Sequence, residues 1–286
     1  MVSKKLTKRA VKHVSKRGDK EMNRWINAIA YVAMVGLNMF ANIAKLGGNN
    51  TGEVSEQYAN IFTPAPWTFA IWGAIYGLLL IFIIVPFAKR DGKTAALAKA
   101  IGGWFALSCA MNMVWILTWH YKNIVGSWIA MIALLVSLIV MFNKFSFESP
   151  AGENIYEKGL SWGSAGLSMY FAWICIATVA NTMVLLVNFG VNGYGVLLKV
   201  LSVSILIAAA FILSAVSISA HNWLVAAGAI WAYAGIISKQ MTSTETMGLN
   251  SIGVSAILGI ILLLTGVIMS LPKGVFKNGN SIGNKA

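Results

Sequence analysis

The sequence predicts an all-α fold, a polytopic transmembrane bundle of about eight helices. Three observations predict it. Hydrophobic residues fill 58% of the 286 positions and charged residues 11%, against about 25% charged in a typical soluble domain. The apolar residues gather into runs of about twenty, the length of a helix that crosses a bilayer. The basic residues gather between those runs. Mean hydropathy is +0.72, more apolar surface than a soluble core absorbs, so soluble globular classes are excluded.

Taken in order, Met1 to Arg24 carries nine of the 22 Lys and Arg residues and forms a basic tail. Beside a membrane span such a tail reads as a topology signal with attraction to anionic headgroups, not as a nucleic-acid surface. No cleavable signal peptide is read in it. The spans follow at Trp25–Ala44, Trp67–Phe87, Ile101–Trp119, Ile124–Phe142, Trp162–Val187, Val196–Ile218, Trp223–Ser238 and Ile252–Leu271. The seventh is short and joins the sixth through Ser219-Ala220-His221-Asn222.

The connectors set the orientation. With the amino terminus inside, inner segments hold eighteen Lys and Arg residues. Only Lys45, Lys122, Lys199 and Lys239 stand at outer or boundary positions. That bias predicts an integral cell-membrane protein with both termini cytoplasmic. The chain divides into a tail (1–24), a five-helix unit (25–190), a three-helix extension (191–272) and a second cytoplasmic tail (273–286). The long outer connector Lys45–Pro66 is polar and holds Glu53 and Glu56, with a formal sequon at Asn49-Asn50-Thr51. The connector Asn143–Ser161 is polar and cytoplasmic.

Of the eleven Trp residues, Trp25, Trp67, Trp104, Trp119, Trp128, Trp162 and Trp223 stand near span ends, where an apolar ring with one N–H is at home. Trp72, Trp115, Trp173 and Trp231 are deeper. Three spans carry polar-aromatic stripes at helical spacing. The second has Phe69, Trp72 and Tyr76, after Pro64-Ala65-Pro66. The third has Ser108, Asn112, Trp115 and Trp119. The fifth has Tyr170, Trp173, Ala177 and Asn181. Trp72 lies roughly 7–8 Å below Trp67, and Trp115 about 10 Å below Lys122. The rings of Trp72, Trp115 and Trp173 therefore overlap in depth in the outer half, beneath the Lys45–Pro66 connector.

Spacing alone leaves two readings open. The asparagines and indoles can bond helix to helix, or they can line a ligand site. No span carries a central Asp, Glu, Lys or Arg, which disfavours ion coupling and suits a planar hydrophobic ligand. Cys109 and Cys175 lie in apolar runs without metal-ligand spacing and read as small apolar residues. No catalytic or metal constellation is read. His120, at an outer helix end, reads as an exposed interfacial residue in preference to an axial ligand.

At these residues the chain resembles a known family. Pro66-Trp67-Thr68-Phe69-Ala70-Ile71-Trp72-Gly73-Ala74-Ile75-Tyr76, Asn112-Met113-Val114-Trp115 and the run from Tyr170 through Trp173 and Ala177 to Asn181 are similar to motifs of the tryptophan-rich sensory protein, or translocator protein (TspO/MBR), group. The likeness covers about residues 25–187. In the first connector only Tyr58 stands where the family has a Trp-Tyr pair, and the family's Pro-Pro pair is split here as Pro64-Ala65-Pro66. Small residues four apart in the last three helices, such as Ala210 with Ser214, Gly228 with Ala232 and Ser255 with Gly259, suit close packing.

The resemblance implies a membrane protein that binds a tetrapyrrole (porphyrin or haem) or a sterol-like lipid, with no cofactor required. Its site would comprise Phe69, Trp72, Tyr76, Asn112, Trp115, Tyr170, Trp173, Ala177 and Asn181. Trp72 and Trp173 would stack on a flat ring, and Asn112 and Asn181 would offer hydrogen bonds. The implied role is a sensor or receptor. A transporter of such ligands and a porphyrin-modifying enzyme are the alternatives. The expected partners are membrane lipids and the small ligand, with a homo-oligomer left open and no nucleic acid.

Overall fold

The computed structural model describes residues 2–88, 101–146, 162–242 and 250–271. The basic stretch 89–100, most of the connector 143–161 and the tail 272–286 lie outside the described residues, as do the side chains of 2–22 and of Trp162. The charge pattern read there stays an expectation from sequence.

Every regular element among the described residues is helical. The α-helices are α1 (Val2–Ile43), α2 (Thr51–Gln57), α3 (Ile71–Ala88), α4 (Trp104–His120), α5 (Ile124–Ser146), α6 (Trp162–Asn188), α7 (Val196–Ser219), α8 (Trp223–Thr242) and α9 (Ser251–Ser270), with 3₁₀ turns at Leu46–Gly48 and Pro66–Ala70. The eight long helices match the eight spans read from sequence. Six are long and apolar enough to cross a membrane. The other two are α4, of 17 residues, and α8, whose last turns hold Ser238, Lys239 and Gln240.

Five helices close into a ring. α1 packs on α3 and α4, α4 on α5, α5 on α6, and α6 back on α3. α7, α8 and α9 pack on one another and join the ring mainly through α8 against α6. Lipid tails are as apolar as leucine, so helices in a bilayer are held by close approach and by polar bonds rather than by apolar burial. Both are present. A Cβ on Gly166 of α6 would stand 2.7 Å from the Leu79 nitrogen of α3, and one on Gly228 of α8 would stand 3.0 Å from Ala172 of α6. Gly259 of α9 lies against the Tyr233 ring of α8. The small residues at Gly228 and Gly259 therefore do what their spacing suggested. Across helices, Tyr31 Oη donates to the Tyr76 carbonyl (2.8 Å), Trp128 Nε1 to Thr182 Oγ1 (3.0 Å) and Tyr233 Oη to the Leu206 carbonyl (2.6 Å).

The connector between α1 and α3 is ordered. Asn50 and Glu53 form a capping box on α2: the Glu53 N–H donates to Asn50 Oδ1 and the Asn50 N–H donates to Glu53 Oε2. Pro66 opens the 3₁₀ turn that leads into α3, a position where its missing N–H leaves nothing unbonded. Residues 45–70 thus form a cap across one end of the ring. α2 lies on the Pro66–Ala70 turn and on α4.

Candidate functional site

The aromatic stripes of α3, α4 and α6 meet inside the ring around Trp72. Trp72 stacks on Tyr76 (ring centroids 5.5 Å apart, planes 26°) and lies tilted against Trp115 (5.8 Å). It meets Tyr170 (5.7 Å) and Trp173 (6.2 Å) edge to face. Phe69, on the turn before α3, also meets Trp173 edge to face at 6.1 Å. Trp115 stacks in turn on Trp119 (6.0 Å), so a column of indoles climbs from Trp72 to the cap. Trp72 faces into the ring yet is only half-buried, as are Phe69 and Tyr76. Behind, Trp115, Tyr170 and Trp173 are buried.

Behind this layer runs a hydrogen-bonded relay. Asn38 Nδ2 on α1 donates to Asn112 Oδ1 (2.7 Å), and Asn112 Nδ2 donates to Tyr170 Oη (3.0 Å). All three groups are buried. The relay ties α1, α4 and α6 together, so both ends of the Asn112 amide are engaged between helices. On α6, Ala177 and Asn181 stand one and two turns beyond Trp173. Asn181 is turned toward α5, where its Oδ1 accepts from Ser127 Oγ at 3.2 Å. Seven of the nine residues read from sequence thus come together: Phe69, Trp72, Tyr76, Trp115, Tyr170 and Trp173 as rings in contact, and Asn112 as the bond behind them.

Three polar atoms in this group have no hydrogen-bond partner although they are fully buried: Tyr76 Oη, Trp115 Nε1 and Trp173 Nε1. Each belongs to a ring that touches Trp72. A buried polar group left unpaired costs about 1–3 kcal/mol, and native interiors leave few. Four other indoles are satisfied: Trp119 Nε1 donates to the Thr51 carbonyl (3.1 Å), Trp231 Nε1 to the Thr68 carbonyl (2.8 Å), Trp128 Nε1 to Thr182 Oγ1 and Trp67 Nε1 to Ser238 Oγ. The unpaired set can donate to an incoming acceptor, since an indole N–H only donates and a phenol does either. The cluster's members are all uncharged.

The arrangement of aromatic α3, α4 and α6 stripes in a five-helix ring agrees with a match to a protein family. The model of the TSPO-like protein family matches residues 24–269. The chain belongs to the TSPO-like family. In this TSPO-like chain the match continues past residues 25–187 and through α7 and α8 into α9, so the last three helices lie within the family's span and not outside it. Comparison with curated proteins and with solved structures returns no match.

Several features of this TSPO-like site differ from the sequence reading. His120 is not an exposed interfacial residue. It is fully buried, with Nδ1 at 3.1 Å from the Leu46 carbonyl and Nε2 at 3.2 Å from Thr51 Oγ1. The cap wraps over it: Gly47, at φ 66°, lies against the His120 carbonyl where no Cβ fits. Trp231 is not deep either; its ring packs edge to face on Trp67 at 5.1 Å, level with the start of α3. Among the described residues no group of three His, Cys, Asp or Glu side chains lies together to hold a metal ion. Tyr31 and Asn38 on α1 were not read as part of the site. With Asn27 and Asn42 they fall on one face of α1 at steps of four, seven and four, a polar stripe that is the sequence signal for them.

Proposed function

We propose that this TSPO-like membrane protein binds a planar hydrophobic ligand, a tetrapyrrole or a sterol-like lipid, in the aromatic cluster and acts as its sensor or receptor. The observation that carries this reading is the set of unpaired donors at Tyr76, Trp115 and Trp173 around a half-buried Trp72. A core built only for packing gains nothing from three buried donors without acceptors. A ligand with a flat apolar body and acceptor atoms on its edge would complete them. Trp72 and Trp173 would supply the ring faces, with Phe69 closing the cap side. Asn112 and Tyr170 would hold the layer from behind and keep the donors in place.

A porphyrin macrocycle would offer such a flat apolar face to these rings. A haem iron would find no free imidazole at His120, whose two ring nitrogens are both engaged. The test is a titration of the purified protein with protoporphyrin, followed by Trp fluorescence and by porphyrin absorbance. It is run on wild type and on the Trp72→Phe, Trp173→Phe double variant. Saturable binding that is lost in the double variant supports the site. Equal quenching in both proteins sinks it. Light-dependent loss of the porphyrin with oxidised Trp would move the reading to an enzyme, and porphyrin flux into liposomes would move it to a transporter.

A further inference from the structure

The cap over the aromatic cluster is held from two sides, by two different parts of the molecule. Its first half belongs to the ring. Thr51 is bonded through its N–H and its hydroxyl to Asn42 Oδ1 of α1 (3.0 and 2.9 Å), and its carbonyl accepts from Trp119 of α4. Its second half belongs to α8 and the turn before α7. The Ile61 N–H donates to the Gly193 carbonyl (3.0 Å), and the Ile61 carbonyl accepts from Gln240 Nε2 (2.7 Å). The Ala65 N–H donates to the Gly235 carbonyl (3.0 Å). The Thr68 carbonyl accepts from Trp231 Nε1, and Trp67 Nε1 donates to Ser238 Oγ (3.2 Å). Lys239 also pairs with Glu56 of α2, at the end of the first half (3.0 Å). Gly235 lies so close on the Thr68 side chain that no Cβ fits between them.

The gripped segment leads directly to the site. Phe69 follows Thr68 in the same 3₁₀ turn and meets Trp173. A Cβ on Gly52 of α2 would stand 3.7 Å from the Phe69 ring, within ordinary contact. Among the described residues the bonds from α8 to the cap come from Trp231 and, beyond it, Gly235, Ser238, Lys239 and Gln240, and of these only Trp231 makes a ring contact, with Trp67 outside the site. The polar end of α8 thus has a use. It supplies donors and an acceptor to the backbone at Ile61, Ala65 and Thr68.

We propose that α8 is a latch, and that the three-helix unit α7–α9 controls ligand passage to the aromatic site by holding or releasing the second half of the cap. The inference rests on the ligand-binding reading above and adds its regulation. In the latched state Phe69 and the turn Pro66–Ala70 close the column of rings. Movement of α8 away from α6 withdraws Trp231, Gly235 and Gln240 together and frees residues 58–70, while residues 46–57 stay on α1 and α4. A gate of this kind changes how fast a ligand enters and leaves, not how tightly the finished site holds it.

That kinetic signature is the test. Trp231→Phe and Gln240→Met each remove a latch bond and keep most of the side-chain bulk. A lost interhelical hydrogen bond shifts an open–closed equilibrium by roughly three- to tenfold. Stopped-flow mixing with protoporphyrin, read by porphyrin absorbance, should show association and dissociation rates both rising by that factor with Kd unchanged. The converse variant joins Glu56→Cys to Lys239→Cys with a short bismaleimide. Both residues are exposed enough to react, and the bridge should slow both rates and again leave Kd alone. Hydrogen exchange of the ligand-free protein gives an arm that needs no ligand. Amides of Ile61, Ala65 and Thr68 should exchange faster in the two latch variants, and those of residues 51–57 should not. Rates that do not move, a Kd that rises through dissociation alone, or cap amides that exchange as in wild type would each overturn the latch. Absence of saturable porphyrin binding in wild type would instead overturn the ligand reading, and the exchange arm would still decide the latch.

Discussion

Asn112→Leu separates the two roles that an asparagine in a membrane helix can have. Leucine is close in bulk, so the change removes bonds without opening a large cavity. Two bonds go: the one accepted from Asn38 Nδ2 at 2.7 Å and the one donated to Tyr170 Oη at 3.0 Å. Interhelical bonds are worth about 0.6–1.7 kcal/mol each, so their loss amounts to roughly 1–3 kcal/mol. Asn38 keeps its bond to the Met34 carbonyl, but the Tyr170 hydroxyl is left fully buried without a partner, a state that costs about 1–3 kcal/mol. The two figures overlap, and a destabilisation of about 2–4 kcal/mol is expected. Adding Tyr170→Phe removes the stranded hydroxyl. The double variant should therefore be more stable than the sum of the single losses by about 1 kcal/mol. The assay is reversible unfolding in mixed micelles on the full cycle. Single losses that add within about 0.3–0.5 kcal/mol, or an Asn112→Leu protein as stable as wild type, would refute the relay.

Two further outcomes concern the cap. Gly47→Ala places a side chain at φ 66° against the His120 carbonyl. The backbone strain alone costs about 1–2 kcal/mol, and the carbonyl contact adds to it, so thermal unfolding should fall well below wild type. Gly48→Ala, at φ 87° with open space around it, should lose only the backbone part, and equal losses at the two positions would contradict the packing described. The Lys45 ammonium, bonded to the Glu53 carboxylate, and the Asn50 N–H hold Glu53 below the usual carboxylate range. A depressed acid stabilises the folded form above its unfolded value, about pH 4.3, and that support is lost as pH falls through the depressed value. The Asn50 amide resonance should titrate with a midpoint below about 4.3, and Glu53→Gln should abolish the titration. A midpoint at or above that value counts against the capping box.

Much of this was legible in the sequence because membrane helices obey two simple periods. A run of twenty apolar residues marks a span, and rings at three and four residues mark a face. Trp72, Trp115 and Trp173 could be placed at one depth from helical rise alone, and they meet. The hydrogen bonding was less legible. Spacing left Asn112 open between helix bonding and ligand binding, and only the family resemblance implied a ligand donor. Its partner Asn38 lies on a polar face of α1 with Asn27, Tyr31 and Asn42, but spacing within one helix does not show which helix that face meets. The donors left without partners are indoles and a phenol, and whether an N–H is paired depends on the neighbouring helix. His120 has the sequence context of a surface residue, and only the fold of Leu46–Gly48 over it buries the ring. The seventh span reads as short, ending at Ser238, whereas its helix continues through Lys239 and Gln240 to Thr242. Ser238, Lys239 and Gln240 are polar because they bond the cap.

The central claim is that the unpaired donors around Trp72 await a ligand's acceptors. The measurement that addresses it most directly is the indole ¹⁵N spectrum of Trp-labelled protein during a protoporphyrin titration. Nε1 of Trp115 and Trp173, unpaired in the free protein, should shift together and saturate with binding. Nε1 of Trp128 and Trp231, already bonded to Thr182 and the Thr68 carbonyl, should keep their positions. Saturable binding that leaves Trp115 and Trp173 unmoved would contradict the account.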